Sequence, residues 1–570
     1  MVTQQAFVRG LAVSLILTLG SCGYQSPSAP DSSKTPSATP DDPRSFPHGS
    51  LYSLLVAEVA INRGQLDVAL ANYYQQAYKT RDAGVARRAT MLAGYLQADQ
   101  AALDLAQLWS SIEPENPEPI YIAGQYFLDS SSLQSALQQS KRLLSLRASS
   151  LFLAIATNPL ATDDKHLSQL THEYGELLED HPENTDLLLG NAALLSAGTH
   201  YEESLSLIEK VLAADKNNLA ARLLEVDVLY KNGRPDTAIK RMSDVVNDQP
   251  DNDKLRMEYA RMLSEKDLKK AREQFDYLAQ RNSLESSLLL SRAMVNFQLK
   301  DYALAREFFE QLLFLKKNTD TAHFYLGEIA QIDQKPNKAL EHYRRVESGS
   351  EYLPAVTKAF SMMIQQNHRL EGQQWLAEQR QAHPEQAYAL YLIEADTLFR
   401  NADLPRSLAA LNEAISKYPQ QTSLNMARSL VYQKSGDIKT AEADLRVVLA
   451  REPDNVDALN ALGYLLADDN RQLDEAKKLL EHALALRPDD PAILDSIGWL
   501  LFRSGNNEEA VLRLKKSYTL QPDDEVAAHL GEVLWLTGQQ AEATKIWEQG
   551  VKLTPESEAI RATRQRLHAQ

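Results

Sequence analysis

The chain has very little cysteine, with a single residue, Cys22, in 570. One thiol excludes an intrachain disulfide and leaves that cysteine without a structural partner. Basic residues are also fewer than acidic ones: the chain has 60 Lys and Arg and 77 Asp and Glu, which gives a formal net charge of -17. Binding to nucleic acid needs a basic surface that neutralises phosphates. The composition therefore argues against a nucleic-acid partner and against broad adhesion to anionic lipid.

Sequence motifs that carry catalysis are missing as well. The chain has no Gly-rich phosphate loop, no Gly-x-Ser-x-Gly elbow and no His-Glu-x-x-His helix. His172-Glu173 followed by Glu176 comes nearest to a metal-site spacing, but it lacks a second histidine, so we interpret it as a solvated charge cluster. Three pairs of acids lie at turns or after prolines, where they are expected to cap helices. These pairs are Asp468-Asp469, Asp489-Asp490 and Asp523-Asp524. We predict a protein that is not an enzyme and that uses no cofactor and no metal.

The apolar run at the N-terminus, residues 11–19, is short. It cannot cross about 30 Å of hydrocarbon as a helix, so it predicts an export signal and not an anchor. The residues that follow, Leu19-Gly20-Ser21-Cys22, resemble the bacterial lipobox. The resemblance implies that residues 1–21 are a lipoprotein signal peptide and that Cys22 is acylated. Since residue 23 is glycine and not aspartate, it also implies the outer membrane. The alternative is an incidental cysteine beside a simple cleaved signal.

Residues 22–49 follow the acylation site and are rich in proline and serine. Residues 23–48 hold six prolines and six serines and almost no apolar side chains. Such a composition cannot build a core, so we predict a disordered tether. The folded part of the protein is then expected to stand off the membrane.

A proline returns at nearly constant spacing through the C-terminal third, at steps of 35, 34, 35, 34 and 33 residues. These prolines are Pro384, Pro419, Pro453, Pro488, Pro522 and Pro555. Each of the last four has an alanine 12 positions upstream and a small residue 24 or 25 positions upstream. An internal repeat of this period predicts a repeat architecture. The alternative is an ordinary α-helical protein whose alanine-rich helices imitate a repeat.

One unit, residues 491–523, shows the physical basis of the repeat. Two antiparallel helices approach closely only where the crossing residues are small, as Gly498 and Ala510 are. Pro522 lacks an amide proton and so ends the second helix. One hairpin cannot bury its own apolar faces, whereas stacked hairpins bury them against both neighbours.

This order of small, large and proline positions is similar to the tetratricopeptide repeat. Gly463, Ala476, Leu480, Ala483 and Pro488 match its pattern in one unit. The resemblance implies an all-α fold, a tetratricopeptide-repeat superhelical solenoid of helical hairpins. We predict fifteen hairpins, which start near residues 50, 83, 117, 151, 185, 219, 253, 286, 320, 353, 388, 422, 456, 491 and 524. Residues 50–184 are divergent N-terminal hairpins, 185–555 are tetratricopeptide repeats, and 556–570 form a C-terminal capping helix.

In repeats of this type the first helix of each hairpin lines a concave groove. The positions that the resemblance places there are Met257, Arg261, Leu290, Met294, Phe324, Glu328, Leu392, Asp396, Met426, Leu430, Asn460, Tyr464, Asp495 and Trp499. An apolar groove with acidic residues suits the capture of extended or helical protein segments. The alternative for each position is packing between neighbouring first helices. The lysine and asparagine pattern of chaperone-tail clamps is absent.

The start of the array is apolar where a terminal helix is ordinarily polar, at Leu51, Tyr52, Leu54 and Leu55. We call these four residues the dock residues and predict that they bind a partner, with packing under the second hairpin as the alternative. The whole chain resembles outer-membrane tetratricopeptide lipoproteins of pseudomonads that are adaptors of a periplasmic serine protease of the carboxyl-terminal processing family. That resemblance implies a lipid-anchored, periplasm-facing adaptor that delivers cell-wall hydrolases to the protease and so regulates peptidoglycan turnover. Two alternatives are an assembly scaffold for pili or exopolysaccharide and a peptidoglycan-associated enzyme.

Overall fold

A computed structural model describes residues 46–281 and 284–568, and within them every regular element is a helix. The signal peptide, Cys22 and all but the last four residues of the predicted tether lie outside the described residues. The chain divides into two compact units, residues 1–308 and 309–570.

The helices follow one another through short turns. Before the division lie α1 (Ser50–Asn62), α2 (Leu66–Thr80), α3 (Ala83–Tyr95), α4 (Asp99–Ile112), α5 (Pro117–Asp129), α6 (Leu133–Ser145), α7 (Phe152–Ala156), α8 (Asp164–Asp180), α9 (Thr185–Ala197), α10 (Tyr201–Ala214), α11 (Leu219–Lys231), α12 (Pro235–Asp248), α13 (Asp253–Leu263), α14 (Leu268–Ala279) and α15 (Ser286–Gln298). The division falls within α16 (Tyr302–Phe314). The second unit continues with α17 (Thr319–Ile332), α18 (Pro336–Tyr343), α19 (Tyr352–Gln365), α20 (Arg369–Ala382), α21 (Ala387–Arg400), α22 (Leu404–Lys417), α23 (Thr422–Ser435), α24 (Ile438–Arg451), α25 (Val456–Asp468), α26 (Leu473–Leu486), α27 (Pro491–Arg503), α28 (Asn507–Leu520), α29 (Asp524–Leu536), α30 (Gln540–Leu553) and α31 (Glu558–Arg566).

The predicted fold of helical hairpins is confirmed. Across the described residues, α1 to α30 follow one another in the order of the fifteen predicted hairpins, and each first helix begins within one residue of its predicted start. The fourth hairpin is irregular, because its first helix ends at Ala156 and a 3-10 turn, Pro159–Thr162, precedes α8. Pro159 disfavours helical backbone at Asn158, which accounts for the early end. The Asn158 side chain instead accepts a hydrogen bond from the Leu160 amide at 3.0 Å.

Small residues on the first helix allow a large side chain of the second helix to reach the backbone. A Cβ on Gly498 would lie 2.6 Å from Leu514 Cγ, and one on Gly531 would lie 2.1 Å from Trp547 Nε1. Both distances are far inside van der Waals contact, so each glycine is required for the observed packing. The repeat proline acts as expected, since α28 ends two residues before Pro522.

The acid pairs divide into two kinds. Asp490 and Asp523 cap α27 and α29, because each carboxylate accepts hydrogen bonds from the first backbone amides of its helix. Asp468 does not cap the start of a helix, so the capping interpretation is wrong for this residue. It is the last residue of α25, and its carboxylate accepts a hydrogen bond from the indole N–H of Trp499 at 3.1 Å.

The buried core runs along each unit as a series of apolar clusters between neighbouring helices. Trp109, Trp375 and Trp547 lie on second helices and are buried, as expected from their positions. The last helix, α31, buries Ile560 against the final hairpin. Among the helices described, none combines the length and the apolar character that crossing a membrane requires.

Candidate protein-binding surfaces

The dock residues form an exposed apolar face at the start of the array. Leu51, Tyr52 and Leu55 are 68%, 74% and 57% exposed, while Leu54 is half-buried. Val59, one turn further along the same face of α1, is also exposed. Leu54 instead packs on the core shared by α1 to α4. The side of α1 that holds Leu51 and Leu55 is therefore open to solvent.

The apolar residues of the predicted groove are mostly engaged in packing. Met257, Phe324, Leu392, Met426 and Tyr464 are half-buried and contact the core clusters beside them. Two more, Leu290 and Met294, are half-buried on α15, and Leu430 is exposed on α23. Among these apolar residues, Leu430 is the most accessible, at 52% exposed.

Charged residues of the predicted groove are paired within the chain. Arg261 Nη1 donates to Glu258 at 2.7 Å, and Arg400 Nε donates to Asp396 at 2.8 Å. Glu328 accepts from Lys358 Nζ at 2.8 Å and also from the Tyr343 hydroxyl. Asn460 is the exception, because its buried amide oxygen makes no hydrogen bond among the described residues. A ligand in this groove would have to exchange these contacts for its own.

The last groove residues gather around a histidine that sequence reasoning missed. His529 Nδ1 lies 2.9 Å from Asp495 Oδ2, and its ring stacks on Trp499 with centroids 4.5 Å apart. The Tyr464 hydroxyl lies 3.3 Å from His529 Nε2. These four residues, which we call the His529 cluster, come from the first helices α25, α27 and α29.

Sequence analysis could have found His529 by a simple signal. It lies 34 residues after Asp495, which is one repeat, so both lie at equivalent heights on stacked first helices. The groove positions that the resemblance implies include Asp495 but do not include His529.

The His529 cluster carries an unusual electrostatic balance. Burial disfavours the charged imidazolium, but the carboxylates of Asp495, Asp468 and Glu525 together outweigh that cost and raise the pKa of His529. Burial also raises the pKa of Tyr464 and of the Glu525 carboxyl, and nearby acids add to both effects. The cluster therefore favours a cation at the centre of an acidic, aromatic surface.

The inner side of α29 is closed by the terminal helix. Glu532, at the groove position equivalent to Trp499, is buried and accepts two hydrogen bonds from Arg566, at 2.7 and 2.6 Å. This bidentate geometry is the strong form of an arginine–carboxylate pair. It ties α31 to the last hairpin.

The charge cluster on α8 is solvated in part. His172 and Glu176 are exposed and lie 3.4 Å apart, in agreement with the sequence interpretation. Glu173 is less exposed and accepts a hydrogen bond from Lys141 at 2.6 Å, so it links α8 to α6. Within the described ranges no group of three or more ligating side chains is assembled for a metal.

Comparison with known proteins bears on these surfaces. The chain is 36% identical over 507 residues to the TPR repeat-containing protein PA4667 of Pseudomonas aeruginosa, which covers 89% of this chain and 86% of that one. The chain belongs to the tetratricopeptide-repeat family. Family profiles described as tetratricopeptide repeat match residues 194–261, 263–320 and 432–500.

Solved structures of repeat proteins are similar at lower identity. The tetratricopeptide-repeat protein TTC0263 of Thermus thermophilus is 19% identical and covers 32% of this chain and 99% of its own, with a TM-score of 0.30. The Cut9–Hcn1 hetero-tetramer structure is 14% identical and covers 91% and 96%, with a TM-score of 0.32. As a tetratricopeptide-repeat protein, the chain is a scaffold for protein–protein interaction.

Proposed function

We propose that this protein is a lipid-anchored, periplasm-facing adaptor of the outer membrane. In this proposal it binds a serine protease of the carboxyl-terminal processing family and delivers cell-wall hydrolases to it, so that it regulates peptidoglycan turnover. The lipobox-like residues before Cys22 and the tether that follows support the location. The whole-length similarity to a bacterial tetratricopeptide-repeat protein supports the scaffold role.

The observation that carries the proposal is the exposed face of the dock residues. Leu51, Tyr52 and Leu55 present apolar side chains together on one side of α1, the first helix that the structure describes. Tyrosine and leucine in a patch of this kind favour contact with another protein, because burial of apolar area stabilises the complex. We assign this face to the protease, which is the fixed partner.

Substrates are assigned to the groove set. Leu290 and Met294 in the first unit, and Leu430 in the second, offer adaptable apolar contacts. Two separate surfaces allow one chain to hold protease and substrate at once, which raises the effective concentration of one near the other.

The test of the dock is a triple variant, Leu51→Glu, Tyr52→Glu and Leu55→Glu, in the full chain. Purified protease is captured on the immobilised adaptor, and the amount retained is measured at increasing salt concentration. We expect the variant to lose capture, because charged side chains oppose burial of this face. Protease retention equal to the parent, by a folded variant, would contradict the assignment.

The matched control places glutamate at three exposed leucines elsewhere, Leu370, Leu512 and Leu553, which are 69%, 62% and 54% exposed. It changes the charge by the same amount and should leave capture intact. If both triple variants lose capture to the same degree, the effect is one of net charge and the dock assignment fails.

The test of the location is metabolic labelling with palmitate. The parent chain should incorporate label and fractionate with the outer membrane, whereas Cys22→Ser should do neither. Label in the Cys22→Ser chain, or none in the parent, would contradict the proposed anchor.

A further inference from the structure

The exposed side of α1 holds the positions that later hairpins bury against the hairpin before them. Counted from the first residue of the helix, Tyr52, Leu55 and Val59 are positions 3, 6 and 10 of α1, and all three are exposed. We call these three residues the stacking face. Because α1 is the first helix that the structure describes, the equivalent positions of later first helices show what kind of element covers such a face.

Positions 3 and 10 of later first helices are buried in the core of the preceding hairpin. On α15 they are Leu288 and Val295, which lie in one apolar cluster with Phe275 and Leu278 of α14. The same two positions on α11 and α23 are buried in the cluster of the hairpin before, where they are Ala221, Val228, Leu424 and Val431. In each case the preceding second helix supplies part of that cluster.

Position 6 faces the preceding hairpin as well. On α9 it is Gly190, where an added Cβ would lie 2.8 Å from the ring of Tyr174 on α8. On α11 it is Leu224, which is buried in the cluster that also holds Ile208 and Val211 of α10. The stacking face of α1 therefore corresponds to a contact that the array makes repeatedly with second helices.

Leu51, the remaining exposed dock residue, lies outside this contact. It is position 2 of α1. Position 2 is exposed on α13, α23, α25, α27 and α29, where it is Lys254, Ser423, Asp457, Ala492 and Glu525. Leu51 and Val59 are thus both exposed apolar residues of one helix, but the equivalents of Val59 are buried and those of Leu51 are open to solvent. The two residues distinguish a general apolar patch from a specific packing face.

The second helices that cover such faces share one pattern of buried side chains. On α14 these are Ala271, Phe275 and Leu278, at spacings of four and three residues. The same spacing recurs on α10 and α22 with Ser204, Ile208, Val211, Ser407, Leu411 and Ala414. Residues at this spacing form one side of an α-helix. A short turn joins each covering helix to the first helix that it covers, so the two run in opposite directions.

Charge does not oppose a helix on the stacking face. Glu58 is the one charged residue of α1, and it accepts a hydrogen bond from the Tyr73 hydroxyl of α2 and pairs with Arg88 of α3 at 3.5 Å. The carboxylate is therefore used within the array, and an apolar surface can be buried here without an unpaired charge.

We propose that the partner covers Tyr52, Leu55 and Val59 with an amphipathic helix that takes the place of a preceding second helix. This helix runs antiparallel to α1 and presents a small residue, a large apolar residue and a third apolar residue at spacings of four and three. The partner then continues the stack of hairpins beyond α1. The inference rests on the proposed function, because it takes the protease as the partner that supplies the helix.

The first experiment compares capture of purified protease by two single variants of the full chain, Val59→Glu and Leu51→Glu. Both place glutamate at an exposed apolar residue of α1, so they change the charge equally. Val59→Glu should weaken capture at least about tenfold, because it buries a charge in the helix contact, and Leu51→Glu less than about threefold. Thermal melting checks that both are folded.

The outcomes separate this inference from the proposed function. Equal weakening by the two folded variants, or a larger loss for Leu51→Glu, would overturn the stacking arrangement while the dock on α1 stands. Failure of the parent chain to capture the protease would overturn the proposed function and, with it, the protease as the source of the helix.

The second experiment locates the covering element by photocrosslinking. Benzoylphenylalanine replaces Tyr52 or, separately, Val59 in the full chain, and the complex with purified protease is irradiated and mapped by mass spectrometry. Both positions should attach to one helix of the protease, Tyr52 nearer its C-terminal end and Val59 nearer its N-terminal end. Attachment to a strand or a loop, or in the reverse order, would overturn the proposal. So would attachment to a second copy of this chain or to its own residues 1–45, since either would be a different occupant.

Discussion

The two ends of the array differ in what they present to solvent. At the start, α1 exposes Leu51, Tyr52 and Leu55. At the end, α31 buries Ile560 and turns polar side chains outward, among them Arg561. A helix that only closes an array needs a polar outer face for solubility. The last helix follows this rule and α1 does not, and this difference supports the proposed dock.

The polar and aromatic side chains near the two ends also differ. Close to the C-terminus, the His529 cluster and the Glu532–Arg566 pair satisfy the polar groups of the first helices from within the chain. Near the start, the aromatic residues Tyr78 and Tyr95 remain exposed on α2 and α3.

The largest expected effects come from the buried tryptophans that anchor each end. Trp109→Ala and Trp547→Ala should each cost about 3–5 kcal/mol in the free energy of unfolding, because each leaves a large cavity. Since stability in a repeat array is distributed along the chain, hydrogen exchange of the hairpin that holds each residue is the proper measurement. Protection lost equally in both hairpins by one variant would contradict local unfolding.

Phenylalanine at the same positions separates packing from hydrogen bonding. The indole N–H of Trp109 donates to Glu113 at 2.7 Å, whereas that of Trp547 has no acceptor among the described residues. We expect Trp109→Phe to cost about 0.5–1.5 kcal/mol more than Trp547→Phe. Equal costs would show that the indole hydrogen bond adds nothing to stability.

A smaller effect is expected at the terminal helix. Arg566→Ala leaves the buried Glu532 carboxylate without its partner, which should cost about 1–3 kcal/mol. The exposed neighbour Arg561→Ala should change stability by less than about 0.5 kcal/mol. Hydrogen exchange in α29 and α31, measured in increasing urea, gives the loss of stability for both variants. A similar cost for the two variants would mean that the bidentate pair does not hold the cap.

The His529 cluster predicts a pH dependence. Because Asp495 and the nearby acids Asp468 and Glu525 raise the pKa of His529 above its ordinary value of 6.5 in spite of its burial, their interaction with the imidazolium stabilises the fold fully below that pH. Its contribution is lost as pH rises through the raised pKa of the folded state. In urea unfolding between pH 6 and 9, the parent should lose stability in α27 and α29, and His529→Gln should not. If the free energy of unfolding depended on pH equally in the two proteins, His529 would not be the titrating group.

The sequence predicted the hairpins well because their causes are local. Pro522 ends a helix and Gly498 admits Leu514 whatever lies elsewhere in the chain. It failed for His529 and Asp468, whose partners lie one repeat away on neighbouring first helices. A repeat pattern fixes which helices are neighbours, but it does not say which polar side chains meet across them. The predicted groove residue Trp499 illustrates this, since stacking on His529 leaves it buried.

The smallest expected effect on stability belongs to the dock residues, and it is the sharpest test of the difference between the ends. If the face is open, glutamate at Leu51, Tyr52 and Leu55 together should change the melting temperature little, with less than about 0.5 kcal/mol per site. Leu54→Glu, one position away on the packed side of α1, should cost more because it buries a charge. Equal losses for both variants would mean that the face packs within the chain and is not an interface.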